Sequence, residues 1–115
     1  MSRNEIITKS AVFRDAPLGR YQFPHEEGSF IGTLAYRAWH PGSKACIICF
    51  FDTDNGEYFK LMAWWDNNYA PRDREVSFAD DVSNGSRWKC EYKRAPKGSM
   101  TWLTAEPISE QRMSL

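Results

Sequence analysis

The stretch Ser29–Trp65, SFIGTLAYRAWHPGSKACIICFFDTDNGEYFKLMAWW, decides how the rest of the chain is arranged. It reads as three consecutive β-strands, Ser29–Trp39, Lys44–Asp52 and Glu57–Trp65, joined by the turns His40–Ser43 and Thr53–Gly56. Pro41-Gly42 and Asn55-Gly56 are strong turn dipeptides, because proline presets φ and glycine tolerates positive φ. Asn-Gly between two apolar, aromatic-rich runs is a strong local hairpin signal.

Side chains alternate along a strand, so the hairpin loop sets which residues share a face. A two-residue loop at Asn55-Gly56 places Phe50 opposite Leu61 and Ile48 opposite Ala63. Cys46, Ile48, Phe50, Phe59, Leu61, Ala63 and Trp65 then share one face. Ile47, Cys49, Phe51, Tyr58, Lys60, Met62 and Trp64 share the other. A three-residue loop with a bulge at Gly56 instead brings Phe51 and Phe59 to a common face. Both faces are largely apolar in either register, whereas a sheet with one solvated face would alternate cleanly. The second face therefore needs a cover, whether chain, partner or ligand.

Length and composition bound the rest. A chain of 115 residues, 42% hydrophobic and 15% aromatic with five Trp, is expected to form a single domain with its own core. Fifteen basic and fifteen acidic residues cancel, and a protein bound mainly through the phosphate backbone is usually more basic. No run approaches the roughly 18 apolar residues of a membrane span, and Met1–Ser10 lacks a signal-peptide layout. Three cysteines do not make a disulfide framework. The expected location is cytoplasmic, with no membrane association.

Glu5–Phe13 is β-prone and reads as a short edge strand or a packed lead-in. Arg14–Gly28, with Pro17, Gly19, Pro24 and Gly28, is a wrapping loop in which Tyr21 and Phe23 alternate and are placed to plug an open sheet edge. Asp66–Ser86 is an irregular crossover with room for a short helix near Phe78 and Val82. Arg87–Arg94 alternates, with Trp88, Cys90 and Tyr92 inward and Arg87, Lys89, Glu91 and Lys93 outward. Ser99–Ala105 is the last strand, stopped by Pro107. Met1–Asn4 and Ser109–Leu115 are expected to be frayed tails.

The resulting class is all-β, or mainly β with one short helix: a small barrel of five or six strands, with an SH3-like barrel as the alternative. Lys89–Ile108 (KCEYKRAPKGSMTWLTAEPI) resembles the closing hairpin of many OB-fold nucleic-acid-binding domains. Phe30-x-Gly32 followed by Leu34 resembles a first OB strand, in which a glycine permits the strong coil that lets the strand pair at both ends. The resemblance covers about residues 29–108 in element order and spacing. It implies binding of single-stranded nucleic acid, oligosaccharides or protein partners.

Catalytic and metal chemistry is not expected. Cys46-x-x-Cys49 lies within a strand run, where residues three apart point to opposite faces, so neither a zinc site nor a helix-borne redox pair fits. His25 and His40 have no nucleophile or carboxylate at a recognisable spacing, and Asp52–Glu57 is too short for an EF-hand loop. No cofactor is implied. The remaining signal is the interleaving of aromatic and basic residues. On an OB-like plan the ligand face comprises Phe51, Tyr58, Lys60, Met62 and Trp64, with His40 and Lys44 from one flanking loop and Arg94 and Lys97 from the other. Exposed rings there would stack bases while Lys and Arg track phosphates. Three occupants compete: a single strand of DNA or RNA, a second copy or protein partner on the apolar face of the 44–65 hairpin, and a sugar or small molecule in the barrel. Against the stacking face stands the alternative that Phe51 and Trp64 are covered by Asp66–Ser86 or by the N-terminal loop and that the Lys side chains are ordinary solvated positions, since aromatic residues are mostly core residues.

Overall fold

Among the described residues five strands form one sheet: β1 (Gly28–Trp39), β2 (Cys46–Thr53), β3 (Tyr58–Trp64), β4 (Arg87–Lys93) and β5 (Trp102–Pro107). The computed structural model describes residues 5–8, 13–40, 46–64, 82–93 and 102–108, with the backbone only at 46, 64 and 102–104. The chain is mainly β, with a 3-10 turn at Leu18–Arg20. The short helix expected within Asp66–Ser86 falls largely outside the described residues. At its end, Val82 is buried and Asn84-Gly85 forms a turn with Gly85 at φ +95°.

β4 follows its sequence alternation, with Trp88, Cys90 and Tyr92 buried and Lys89, Glu91 and Lys93 exposed. β5 runs past Ala105, and Pro107 is its last residue rather than its stop; residues 99–101 lie outside the described residues. A proline is tolerated at the end of a strand because it removes no donor from the interior of the ladder. Of the expected strand Glu5–Phe13, residues 9–12 lie outside the described residues, and Ile7 makes an isolated parallel bridge to Ala38 of β1.

Neighbours follow the order β1-β2-β3-β5-β4, and β4 returns to pair with β1. β1 serves both sides of this circuit: Gly28–Thr33 pair with β4 and Gly32–Trp39 with β2. The two ladders overlap at Gly32 and Thr33, and Gly32 faces Trp88 on one side and Thr53 on the other. An added Cβ at Gly32 would come 2.6 Å from the Asp52 carbonyl oxygen and 3.0 Å from the Thr53 Cα. Only glycine lets β1 approach the backbone of β2 this closely while it turns from one partner to the other. A register shift between Leu34 and Tyr36 then exchanges faces, so Leu34 points inward while Ala35, Tyr36 and Ala38 pack on the outer side.

The hairpin between β2 and β3 takes the three-residue form. The Thr53 N–H donates to the Glu57 carbonyl at 2.9 Å, and the Gly56 N–H donates to the Thr53 carbonyl at 3.0 Å. The Thr53 hydroxyl accepts from the Glu57 N–H at 2.9 Å, and Gly56 sits at φ +87°. This places Phe51 opposite Phe59, Cys49 opposite Leu61 and Ile47 opposite Ala63, which overturns the pairing of Phe50 with Leu61 expected for a two-residue loop. The left-handed glycine and the Thr53 side chain stabilise the longer loop, and the one-residue difference exchanges the faces.

Two apolar clusters result. The inner one is built on Phe30, Leu34, Ile47, Cys49, Phe51, Leu61 and Trp88, with the Phe30 ring 5.2 Å from Phe51 and 5.6 Å from Phe59. The outer one comprises Leu18, Tyr21, Ala38, Ile48 and Phe50, flanked by Phe13, Tyr36 and Met62. Residues 13–23 therefore form a strap across the outer face of β2 and β3. Gln22 pairs in parallel with Phe59: its N–H donates to the Tyr58 carbonyl at 3.1 Å and its carbonyl accepts from the Lys60 N–H at 3.0 Å. β5 meets the same edge of β3 through one registered parallel pair, Met62 to Trp102. The edge of β3 is thus divided between the strap and β5, which satisfies backbone groups that an open edge would expose.

Candidate ligand surface at the strap and β3

The strap is held from below by a polar contact within an apolar cover. The Tyr21 hydroxyl donates to Asp52 Oδ1 at 2.5 Å, and the Tyr21 ring packs edge-on against Phe50 at 5.3 Å and Tyr58 at 5.5 Å. Burial, followed by the hydrogen bond to the Asp52 carboxylate, pushes the Tyr21 phenol well above the ordinary tyrosine value of 10.0. The unfolded chain releases this proton at lower pH than the folded one, so the shift leaves stability intact below pH 10.0 and erodes it above. Tyr21→Phe is expected to lower the urea midpoint at neutral pH by removing the bond to Asp52. Its deficit relative to wild type should shrink as pH rises past 10.0. A deficit that does not change with pH would show that the Tyr21 proton is not linked to folding.

What remains open is a strip beside the strap. Of the described large hydrophobic residues, Phe23, Ile31 and Tyr58 are the exposed ones, and two of these three meet here. Tyr58 is 39% exposed and Phe23 36%. The Arg20 guanidinium carbon lies 4.3 Å from the Tyr58 ring centroid, and Lys60 Nζ lies 4.8 Å from that of Phe23. The contacts cross the seam. A cation of the strap sits on a ring of β3, and a cation of β3 sits on a ring of the strap, on either side of the Gln22–Phe59 bridge.

The structure treats the expected site residues differently. Tyr58 and Lys60 are accessible on the outer face. Met62 lies on the same face but packs half-buried against the outer cluster. Phe51 is fully buried in the inner cluster and is removed from the ligand face, because the three-residue loop turns it inward. His40 follows β1 at the opposite end of the hairpin from Tyr58, since Trp39 pairs with Ile47 and Asp52 with Tyr58. Trp64 ends β3, with its side chain outside the described residues, as are Lys44, Arg94 and Lys97.

Arg20 and Phe23 carry half of the strip. Phe23 is legible in the sequence as an edge plug, but nothing marks Arg20 before the fold lays it over Tyr58. A usable signal is the run Leu18, Tyr21 and Phe23 between Pro17 and Pro24, in which apolar residues within a turn-rich segment mark a strap. No family model matches this chain, and no curated protein or solved structure does either.

The other candidate chemistry resolves into structure. Asp52 holds Tyr21, and Asp54 forms a two-point pair with Arg87 at 2.6 and 2.7 Å, which keeps the Asp54 carboxyl below its usual range. The pair ties the β2–β3 turn to the start of β4. Cys49 and Cys90 are buried, and burial pushes the Cys90 thiol up, away from the reactive thiolate. Among the described residues no group of His, Cys, Asp and Glu gathers as a metal site would require. Likewise, no described helix is long and apolar enough to cross a membrane.

Proposed function

We propose that this protein is a non-catalytic, OB-like module that binds single-stranded DNA or RNA along the seam between the strap and β3. The observation that carries this reading is the crossed pair of cation–ring contacts, Arg20 on Tyr58 and Lys60 on Phe23, left accessible on an otherwise covered face. An aromatic ring offers a stacking surface to any base, and the adjacent guanidinium and ammonium groups neutralise the phosphates that follow it. The OB-like plan is supported by a first strand that pairs at both ends around a glycine, and by five strands joined in the order β1-β2-β3-β5-β4 with one thin seam.

The competing occupants have less to work with. On the apolar face that a second copy or protein partner would use, Ile48 and Phe50 are already buried against Leu18 and Tyr21. A ligand inside the sheet would have to displace the ring cluster of Phe30, Phe51, Phe59 and Tyr92.

Tyr58→Ala tests the reading, because an exposed ring can be removed without opening the core. Fluorescence anisotropy with a labelled oligo-dT in low salt is expected to show affinity reduced by about 5- to 150-fold, the equivalent of roughly 1–3 kcal/mol for one stacked base. Arg20→Ala is expected to weaken binding and to flatten its dependence on salt. A wild-type protein that binds neither oligo-dT nor oligo-U in low salt would end this reading.

A further inference from the structure

Resting on that reading, the geometry points to a ligand step that is unstacked. The site takes two successive bases splayed apart, one on each cation–ring pair, and so prefers pyrimidine strands over stacked purine strands. Tyr58 and Lys60 are two residues apart on the outer face of β3, and each belongs to a different pair. Strand geometry separates the two backbone positions that anchor the pairs by about 6.6–6.8 Å, a longer step along β3 than the about 3.4 Å between successive bases of a stacked strand. The strap cannot slide to shorten this interval. Its backbone is registered to β3 by the two hydrogen bonds of Gln22, and its underside is fixed by the buried Leu18 and Tyr21. A strand that keeps its bases stacked can engage one pair but not both. A strand that unstacks readily spans the interval and engages two.

Purine runs stack more strongly than pyrimidine runs, so the unstacking required for the second contact weighs most against oligo-dA. The number of platforms, and not the general cost of handling a purine strand, sets the preference. Removing one platform should therefore abolish it. Phe23 is the residue to change, because it is exposed and forms no part of either buried cluster.

The test is an anisotropy titration in low salt with labelled oligo-dT and oligo-dA of equal short length, against wild type, Phe23→Ala and Phe23→Leu. Wild type is expected to bind oligo-dT roughly tenfold or more tighter than oligo-dA. In both variants the oligo-dT affinity should fall and the ratio should approach one. Phe23→Leu retains apolar cover without a ring, and far-ultraviolet circular dichroism confirms that each variant is folded. Equal affinities in wild type, or a ratio that survives both substitutions, would overturn the two-platform geometry while leaving the binding site in place. Failure of wild type to bind either strand would overturn the site itself, and the step geometry with it.

Discussion

Phe51→Ala is expected to lower folding stability by about 3–5 kcal/mol, a large share of the roughly 5–15 kcal/mol that holds a domain folded. The Phe51 side chain is fully buried, faces Phe59 across the hairpin and contacts the Phe30 ring at 5.2 Å. Truncation removes the transfer free energy of the ring and leaves a cavity between strands that are held by backbone ladders and cannot easily collapse. Urea denaturation followed by tryptophan fluorescence measures the loss. A second arm addresses function: under conditions where the variant remains folded, its affinity for oligo-dT should equal that of wild type, since no atom of Phe51 reaches the outer strip. A variant with the wild-type urea midpoint but lost binding would return Phe51 to the ligand surface and contradict the three-residue register.

The second large effect is expected at Asn84, on the turn that leads into β4. Arg37 is 1% exposed and Asn84 5%. Arg37 Nε donates to Asn84 Oδ1 at 3.0 Å, and Asn84 Nδ2 donates to the Glu5 carbonyl at 3.0 Å. One buried amide therefore joins β1, the end of the crossover and the N-terminal segment, whose Ile7 also exchanges two backbone hydrogen bonds with β1. Asn84→Ala removes an acceptor from a buried guanidinium and is expected to cost about 2–3 kcal/mol, since hydrogen bonds to charged groups are stronger than neutral ones and an unmatched buried donor is penalised in full. Asn84→Asp keeps an acceptor for the Arg37 guanidinium and sets a carboxylate oxygen against the Glu5 carbonyl, so it should cost less only as far as the charged pair with Arg37 outweighs that repulsion. Amide exchange at Ile7 and Trp39 should accelerate in both variants, because both give up the tie to Glu5. Equal stability of Asn84→Ala and wild type would show that Arg37 draws nothing from this contact.

The two substitutions mark different degrees of legibility. The strand β4 could be read residue by residue, because the alternation of Trp88, Cys90 and Tyr92 with charged residues is a local signal that tertiary packing had only to accept. The need for a cover over a second apolar face was equally plain in Lys44–Trp65, where both alternating sets are rich in aromatic and branched residues. The face assignment was not readable, because it turned on one residue of loop length. The left-handed Gly56 and the Thr53 hydroxyl together favour the three-residue loop, and with it Phe51 turns from surface to core. Arg20 was likewise illegible, since a single arginine in a turn-rich segment acquires a role only when Gln22 docks beside Phe59.

By itself the order of residues determined a mainly β chain, a glycine turn at Asn55-Gly56 and the presence of a surface that could not be left bare. Those properties follow from backbone conformational preference and from period-two patterning, which act over a few neighbouring residues. Only the tertiary structure decided which rings were interior, that the strap packs across the outer face of β2 and β3, and that two cations and two rings remain accessible across one seam. The reason is physical: a face is defined by pairing register, and register is set by contacts between segments remote in the chain, whose energies no local pattern contains.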